Sequence, residues 1–242
     1  MHRELLYSQS ESSVSFDRLS TRLTGNVLIV GVTSGFGSVI RKDLERIGLR
    51  VITAGRSGES DLFVDLTDAN STENLARVCR RENVKAVIVT AATAFLDSSP
   101  EDFTFDTAYL GKLHLNGLFL LSLARGLDRE GYRPQGVIVF TSEAGWSGGP
   151  SSHIHYNISK AILNATVLNM SEAYGISVVG IDPGEARSKM NKESVRDPRE
   201  VLPMIRWILS RLMSGEANMA GKFFHSDGRS LTFCKSGLYR EA

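Results

Sequence analysis

A tyrosine and a lysine, Tyr156 and Lys160, stand four positions apart in the segment HIHYNISKA. In a helix this spacing places both side chains on one face, one turn apart. A lysine ammonium beside a phenol favours the phenolate, so Lys160 is expected to lower the pKa of Tyr156. For a pair 4 Å apart, Coulomb's law gives roughly 4 kcal/mol, enough to bring that pKa towards about 7. Such a tyrosine can donate or accept a proton near neutral pH.

The tyrosine–lysine pair also arises by chance, so a second chemical pattern matters. The segment VLIVGVTSGFGSVI follows the first apolar run and opens a helical pattern. Glycines at such a junction permit a tight turn and let backbone N–H groups approach a pyrophosphate. The alternative is a merely structural turn. The predicted dinucleotide-binding residues of this loop are Gly31, Thr33, Ser34, Gly35, Phe36 and Gly37.

The end of the next apolar run, TAGRS, favours NADP(H) over NAD(H). Folds that bind NAD usually place an acidic residue here, where it holds the ribose 2′-hydroxyl. This chain has Arg56 and Ser57 instead, and a guanidinium is a planar donor that suits a 2′-phosphate. The alternative is that Arg56 is an ordinary exposed arginine. Asp65 and Leu66, further along, are candidates for contact with the adenine.

These residues lie between short apolar runs that alternate with longer amphipathic segments. Runs that are apolar on both faces are typical of strands buried in a parallel sheet. They cover 26–31, 50–55, 85–91, 136–142 and 176–182, with weaker candidates at 61–66 and 221–228. Helical patterns cover 36–48, 71–83, 105–128, 155–174 and a segment that begins at Pro198. The alternation predicts a Rossmann-like α/β fold, a doubly wound parallel sheet of about seven strands with helices on both faces.

Length and composition limit the classes of function. The 242 residues are 42% hydrophobic and 23% charged, with a net charge of +1. We expect one α/β domain over 24–242, after an extension at 1–23 that is partly disordered or docked on the surface. The balanced charge gives no support to nucleic-acid binding, and no apolar run approaches the ~18 residues of a membrane span. Cys79 and Cys234 lack metal-ligand spacing, so we expect no metal site. Two cysteines far apart in sequence indicate no disulfide framework, so we expect a cytoplasmic protein.

In order and spacing these features resemble the short-chain dehydrogenase/reductase family, from about residue 24 to 232. The resemblance rests on the glycine loop, on Asp65, on HLNGLFLLS, on VIVFTSEAG and on the Tyr-x-x-x-Lys pair. It implies an NADP(H)-dependent oxidoreductase with four catalytic residues: Asn116, Ser142, Tyr156 and Lys160. The further cofactor contacts that it implies are Ala91, Ala92, Pro183, Gly184, Ala186 and Ser188, the last of which replaces the family's usual Thr.

The resemblance also implies a role for each catalytic residue. Ser142 hydrogen-bonds the substrate oxygen, and Tyr156 passes it a proton while hydride moves to or from the nicotinamide. Lys160 lowers the pKa of the tyrosine and binds the nicotinamide ribose, and Asn116 holds a water of the proton relay. A homodimer or homotetramer is implied as well, formed through the helices that contain Asn116 and Tyr156.

Two loops depart from the family's pattern. The family usually opens its glycine loop with Thr-Gly and has Asn-Asn-Ala-Gly after the fourth strand. This chain has Val30-Gly31 at the first position and the residues 90–93, TAAT, at the second. The family's Thr normally supports the second loop, so both ends of one internal contact are altered together.

The loop between Ser142 and Tyr156 must pass beside the reacting carbonyl, because both of its ends are catalytic. Its polar side chains would be left unpaired beside an apolar ligand, so we expect a small polar substrate. The predicted substrate-binding residues are Glu143, Trp146, His153 and His155, and a short lid adds Lys189, Asn191 and Lys192.

Two other functions use the same cofactor-binding pattern. One is a dinucleotide-binding regulator or scaffold without turnover, although such proteins generally lose the Tyr or the Lys. The other is a sugar-nucleotide epimerase or dehydratase, which usually has a different glycine spacing and a longer C-terminal substrate domain.

Overall fold

The computed structural model describes residues 7–13, 23–33, 35–93, 107–147, 153–187, 191–216 and 219–233. Its strands are β1 (Tyr7–Ser13), β2 (Asn26–Val30), β3 (Arg50–Gly55), β4 (Leu62–Phe63), β5 (Val84–Val89), β6 (Gly136–Phe140), β7 (Val178–Asp182), β8 (Phe223–His225) and β9 (Arg229–Phe233). They form one sheet in the order β1-β9-β8-β7-β6-β5-β2-β3-β4.

The sheet is doubly wound. Strands β2 to β8 pair in parallel, and the chain proceeds from β2 to β4 on one side and from β5 to β8 on the other. The predicted Rossmann-like α/β fold is therefore confirmed. The strand order reverses between β2 and β5, and ligands of such folds bind at the carboxyl ends of the strands beside this switch point.

Over the described residues the sheet contains nine strands rather than about seven, because two antiparallel pairings extend it beyond β8. The turn before β9 includes Gly228 at φ 100°, a conformation that favours glycine. This turn folds β9 back onto β8 as a hairpin. Within the segment 1–23, which we expected to be an extension, residues 7–13 form β1 and pair with β9.

The helices are α1 (Gly35–Arg46), α2 (Ala69–Arg81), α3 (Thr107–Leu113), α4 (Phe119–Arg129), α5 (Ala144–Ser147), α6 (Ile154–Tyr174) and α7 (Leu202–Met213). A π-helical turn, His114–Leu118, joins α3 to α4, so the helix predicted over 105–128 is interrupted. At Gly117 in this turn, a Cβ atom would lie 2.6 Å from the Ser159 carbonyl oxygen of α6. The absence of a side chain there lets α6 approach the turn closely.

Successive residues of the central strands point to opposite faces of the sheet. On one face Leu28 and Val30 pack with residues of α2, α4 and α6. On the other face Val27 and Ile29 pack with residues of α1 and α7. The strands are buried on both sides, which explains why they are recognisable as continuous apolar runs.

Two further observations concern only the part of the chain that the structure describes. None of its helices combines the length and the hydrophobicity that crossing a bilayer requires. No group of three or more His, Cys, Asp or Glu side chains is arranged to hold a metal ion.

Candidate active site

A cavity of about 1190 Å³ runs along the carboxyl ends of the parallel strands. It begins at Arg56 after β3, crosses the glycine loop after β2, and ends between Tyr156 and the residues that follow β7. Many of the predicted site residues line it: Gly31, Thr33, Gly35, Phe36, Arg56, Ser57, Leu66, Ala91, Ala92, Ser142, Glu143, His153, Tyr156, Lys160, Pro183, Gly184 and Ala186. Three predicted residues, Ser34, Ser188 and Lys189, lie outside the described residues.

The glycine loop has the backbone that close approach requires. Gly31 has φ 98° and Gly35 has φ 56°, both in the left-handed region that favours glycine. Gly37 is buried behind the loop, where a Cβ atom would lie 1.9 Å from the Gly31 carbonyl oxygen. The loop therefore folds back against the first turn of α1, leaving its backbone facing the cavity at the start of a helix. This arrangement fits a pyrophosphate.

A hydrogen bond joins the two loops that depart from the family's pattern, the glycine loop and the loop after β5. The Thr90 hydroxyl, in the second loop, donates to the Gly31 carbonyl oxygen at 2.7 Å. A hydroxyl therefore still joins the two loops, but it belongs to Thr90 of the second loop rather than to the residue at Val30 of the first. The paired departures from the family's pattern compensate each other.

At the end of the cavity near β3, the carboxylates of Asp61 and Asp65 accept hydrogen bonds from nearby threonines. Asp61 accepts from the backbone N–H and the hydroxyl of Thr53, both at 2.8 Å. Asp65 does not line the cavity and accepts from the N–H and the hydroxyl of Thr67, at 2.9 and 2.8 Å. Burial opposes its ionisation, but these hydrogen bonds and the charge of Arg56 give the Asp65 carboxyl a lowered pKa. Arg56 itself is exposed at the cavity wall.

At the other end, Ser142 follows β6 and hydrogen-bonds Tyr156 on α6. Lys160, one turn further along α6, is buried and donates from Nζ to the Phe140 carbonyl oxygen at 2.8 Å. Its Nζ lies 5.7 Å from the centre of the Tyr156 ring. The predicted sharing of one helix face therefore brings the two side chains together beside Ser142.

The expected pKa near 7 for Tyr156 is not found in the protein alone. Burial raises the pKa of Tyr156 above its usual value, the hydrogen bond from Ser142 lowers it less, and the charge of Asp182 raises it further. Burial also lowers the pKa of Lys160 to about 8, against an opposing effect of Asp182. Desolvation is the largest effect on both groups. The Lys160 ammonium hydrogen-bonds the Phe140 carbonyl oxygen.

Asn116 lies behind the cavity wall rather than in it. Its side chain binds both backbone groups of Thr93, accepting from N at 2.9 Å and donating to O at 2.8 Å. It also donates to the Ser159 hydroxyl at 3.2 Å, which in turn donates to the Tyr156 carbonyl oxygen. The π-helical turn thus places Asn116 where it ties the loop after β5 to the helix of Tyr156.

Trp146 and His155, which we expected to contact substrate, do not line the cavity. The Trp146 ring packs edge-on against Phe223 with 5.0 Å between ring centres. His155 is buried, and its ring meets that of Tyr109 at 4.5 Å. Successive helical residues diverge by about 100°, so His155 points away from the cavity that Tyr156 faces.

The cavity is also lined by residues that were not predicted, among them Asp182, Arg196 and His225. An acid at the end of the apolar run ISVVGID is a signal for Asp182, because buried strands rarely carry an unpaired charge. The presence of Arg196 and His225 in the cavity lining depends on tertiary structure alone. They meet near Gly184 because β8 pairs with β7, with His225 opposite Asp182.

A model of the NAD dependent epimerase/dehydratase family matches residues 27–228. The chain belongs to this family. The family is part of the extended short-chain dehydrogenase/reductase superfamily, so the resemblance is confirmed. No sequence among the curated proteins is significantly similar to the chain.

Solved structures of short-chain dehydrogenases share the fold of this family member. A short chain dehydrogenase from Burkholderia cenocepacia in complex with NADP superposes with a TM-score of 0.68, at 18% identity over 86% of this chain and 98% of that one. The NADH-dependent reductase A1-R′ complexed with NAD gives 0.69, at 20% identity over 85% and 96%. BdcA in complex with NADPH gives 0.69, at 16% identity over 91% and 100%.

Proposed function

We propose that this member of the family is an NADP(H)-dependent oxidoreductase that reduces a small, polar carbonyl compound. One observation carries the proposal: Ser142, Tyr156 and Lys160 meet at one end of a cavity whose other end holds the glycine loop and Arg56. Hydride donation is the chemistry that a dihydronicotinamide dinucleotide would supply when bound. The glycine loop and Arg56 would hold its phosphates, and Lys160 would lie at the reacting end.

The residues of the reacting end supply the proton. The hydroxyl of Ser142 can donate to a substrate carbonyl oxygen while Tyr156 transfers its phenolic proton to that oxygen. Because burial keeps the pKa of Tyr156 above its usual value, the phenol carries its proton at neutral pH. A protonated phenol is the form that acts as the acid in carbonyl reduction.

The choice of NADPH is tested at Arg56. We expect NADPH to bind at least about tenfold more tightly than NADH, a difference of about 1.4 kcal/mol. Arg56→Ala should remove most of that difference, because the exposed guanidinium is proposed to bind the 2′-phosphate while Asp61 is held by Thr53. Fluorescence titration with both cofactors measures the two affinities.

Arg77→Ala is the matched control, since Arg77 is also an exposed arginine but lies on α2 and pairs with Glu130. It should leave the ratio of affinities unchanged. Equal affinities for NADPH and NADH in the unaltered protein would contradict the preference.

The polar character of the substrate rests on the side chains at the reacting end of the cavity. They include Glu143, His153, Asn157, Asn191, Arg196 and His225. Pockets for steroids or long acyl chains are mostly apolar with few polar groups, so this lining suits a polar ligand better. We expect sugar-like or anionic keto compounds to give higher kcat/KM than ketosteroids or aryl ketones.

The His153→Ala variant extends this prediction to one residue. It should lower kcat/KM for the best polar substrate by roughly twofold to tenfold, the value of one lost hydrogen bond. NADPH affinity is the internal control and should not change. A substrate panel in which ketosteroids are clearly the better substrates would overturn the proposed polarity.

The family match favours one second candidate, an epimerase or dehydratase acting on a polar, sugar-like substrate. Such an enzyme returns the hydride to its substrate, so it converts substrate without net consumption of cofactor. Measuring NADPH oxidised per mole of product separates the candidates, with one expected for the reductase and none for the epimerase.

A further inference from the structure

Asp182 lines the cavity but has no role in the proposed proton transfer. Asp182 ends β7, is only 6% exposed and lines the cavity. We propose that Asp182 is a positioning residue, whose carboxylate fixes the backbone beside Ser142 and holds a negative charge at the end of the cavity that Tyr156 and Lys160 line. This inference rests on the proposed reductase function.

The two carboxylate oxygens of Asp182 bind two different loops. Oδ2 accepts from the backbone N–H of Glu143, the residue after Ser142, at 2.6 Å. Oδ1 accepts from the N–H of Gly184 at 2.8 Å. Gly184 has φ 65°, and its turn follows β7 directly. One carboxylate therefore joins the loop that carries Ser142 to the turn at Pro183-Gly184, on the side of the cavity opposite the glycine loop.

An asparagine cannot make the same pair of contacts. Its side chain has one acceptor oxygen, and its NH₂ group would face a second N–H donor. In the observed geometry a carboxylate satisfies both backbone donors, one with each oxygen, whereas an asparagine satisfies one. This gives a physical reason for a charged residue at the end of an otherwise apolar buried strand.

Charged and titratable groups surround the carboxylate from several elements: Tyr156 and Lys160 on α6, Glu143 after β6, Arg196 near the turn, and His225 opposite on β8. Arg196 is paired with Glu200 at 2.8 Å, and His225 lies 2.9 Å from Asp227. Lys160 is instead directed at the Phe140 carbonyl oxygen, on the strand beside β7. The negative charge of Asp182 therefore acts mainly on Lys160 and Tyr156.

The sign of this effect is the same for both groups. A nearby anion raises the pKa of Tyr156 because it opposes the phenolate, and it raises the pKa of Lys160 because it favours the ammonium. Removing the charge should lower both values. Whichever group limits reduction at alkaline pH, the fall in rate should then begin at lower pH.

Spectrophotometric titration tests the inference without relying on turnover. The chain has six tyrosines, and subtracting the tyrosinate absorbance of Tyr156→Phe isolates Tyr156. The absorbance of Y156F is subtracted from that of the wild type, and the absorbance of D182N/Y156F from that of D182N. The midpoint of the second difference curve, which reports Tyr156 in D182N, should lie roughly one pH unit below that of the first. An unchanged midpoint would overturn the inference.

D182E keeps the charge and serves as the conservative variant. In D182E, Tyr156 should ionise at nearly the same pH as in the wild type, even if the longer side chain slows turnover. In the active enzyme, D182N should move the alkaline limb of the pH profile to lower pH in kcat, measured at saturating NADPH, as well as in kcat/KM. A pH-independent loss of rate would indicate a structural role only and would contradict the inference.

If D182N does not fold, the titration is made with D182S, whose hydroxyl can still accept one of the two bonds. Failure of both variants to fold would also overturn the proposal and leave Asp182 a purely structural residue. If the wild type reduces no carbonyl compound but Tyr156 still titrates lower in D182N, the proposed function fails while the assignment of Asp182 stands.

Discussion

Tyr156→Phe is expected to lower kcat/KM for carbonyl reduction by roughly 10²–10⁴-fold, the usual contribution of a general acid. The substitution removes the phenolic hydroxyl that is hydrogen-bonded to Ser142 and leaves the ring beside Lys160 in place. The cavity keeps its shape, so NADPH should bind with nearly unchanged affinity. Steady-state kinetics and fluorescence titration measure the two effects separately.

Tyr132→Phe removes the same hydroxyl from a tyrosine outside the cavity, where it donates to the Val84 carbonyl oxygen at 2.8 Å. It should leave kcat/KM close to that of the wild type and lower only thermal stability. A Tyr156→Phe enzyme that retained more than about a tenth of the activity would show that proton transfer does not pass through Tyr156.

Lys160→Met is expected to damage both binding and turnover, because Lys160 has two proposed roles. Its ammonium is buried at the reacting end of the cavity, where it can bind the nicotinamide ribose and favour proton loss from Tyr156. We expect NADPH affinity to fall at least about tenfold, or 1.4 kcal/mol, and kcat to fall by about a hundredfold or more. A variant with normal affinity and rate would remove Lys160 from the account.

The same variant should change how stability depends on pH. Burial lowers the pKa of Lys160 to about 8, below the usual 10.5. Between these values the unfolded chain holds a proton on this residue that the folded chain has lost, so its contribution to stability rises with pH. The cost of burying the ammonium is fully present below about pH 8. The free energy of unfolding of the wild type, measured relative to Lys160→Met, should therefore increase from pH 8 to 10.5.

The fold was predictable because its central strands are buried on both faces and carry continuous apolar runs. The glycine loop and the Tyr156–Lys160 spacing were predictable for a related reason, since each depends on local geometry within one turn or one strand-to-helix junction. The additional strands β1 and β9 were not, because their segments, YSQSESS and RSLTF, contain no continuous apolar run. Strand β1 also depends on a partner at the other end of the chain.

Parts of the site depend on tertiary structure and could not be derived from spacing. Asn116 lies in a π-helical turn that a regular helical pattern does not predict, and its amide binds Thr93 rather than lining the cavity. His155 neighbours Tyr156 in sequence but points to the protein interior, against Tyr109. Asp182 acquires its role only where the loop after β6 and the turn at Gly184 converge.

The central claim is hydride transfer at the Ser142–Tyr156 end of the cavity, and isotope transfer tests it most directly. NADPH that carries deuterium at both hydrogen positions of nicotinamide C4 is incubated with the best polar keto substrate, and the product is examined by mass spectrometry. We expect one deuterium in the alcohol for each NADPH oxidised by the wild type, with loss of this product in Tyr156→Phe. Conversion of substrate without deuterium in the product, or an equal yield from Tyr156→Phe, would contradict it.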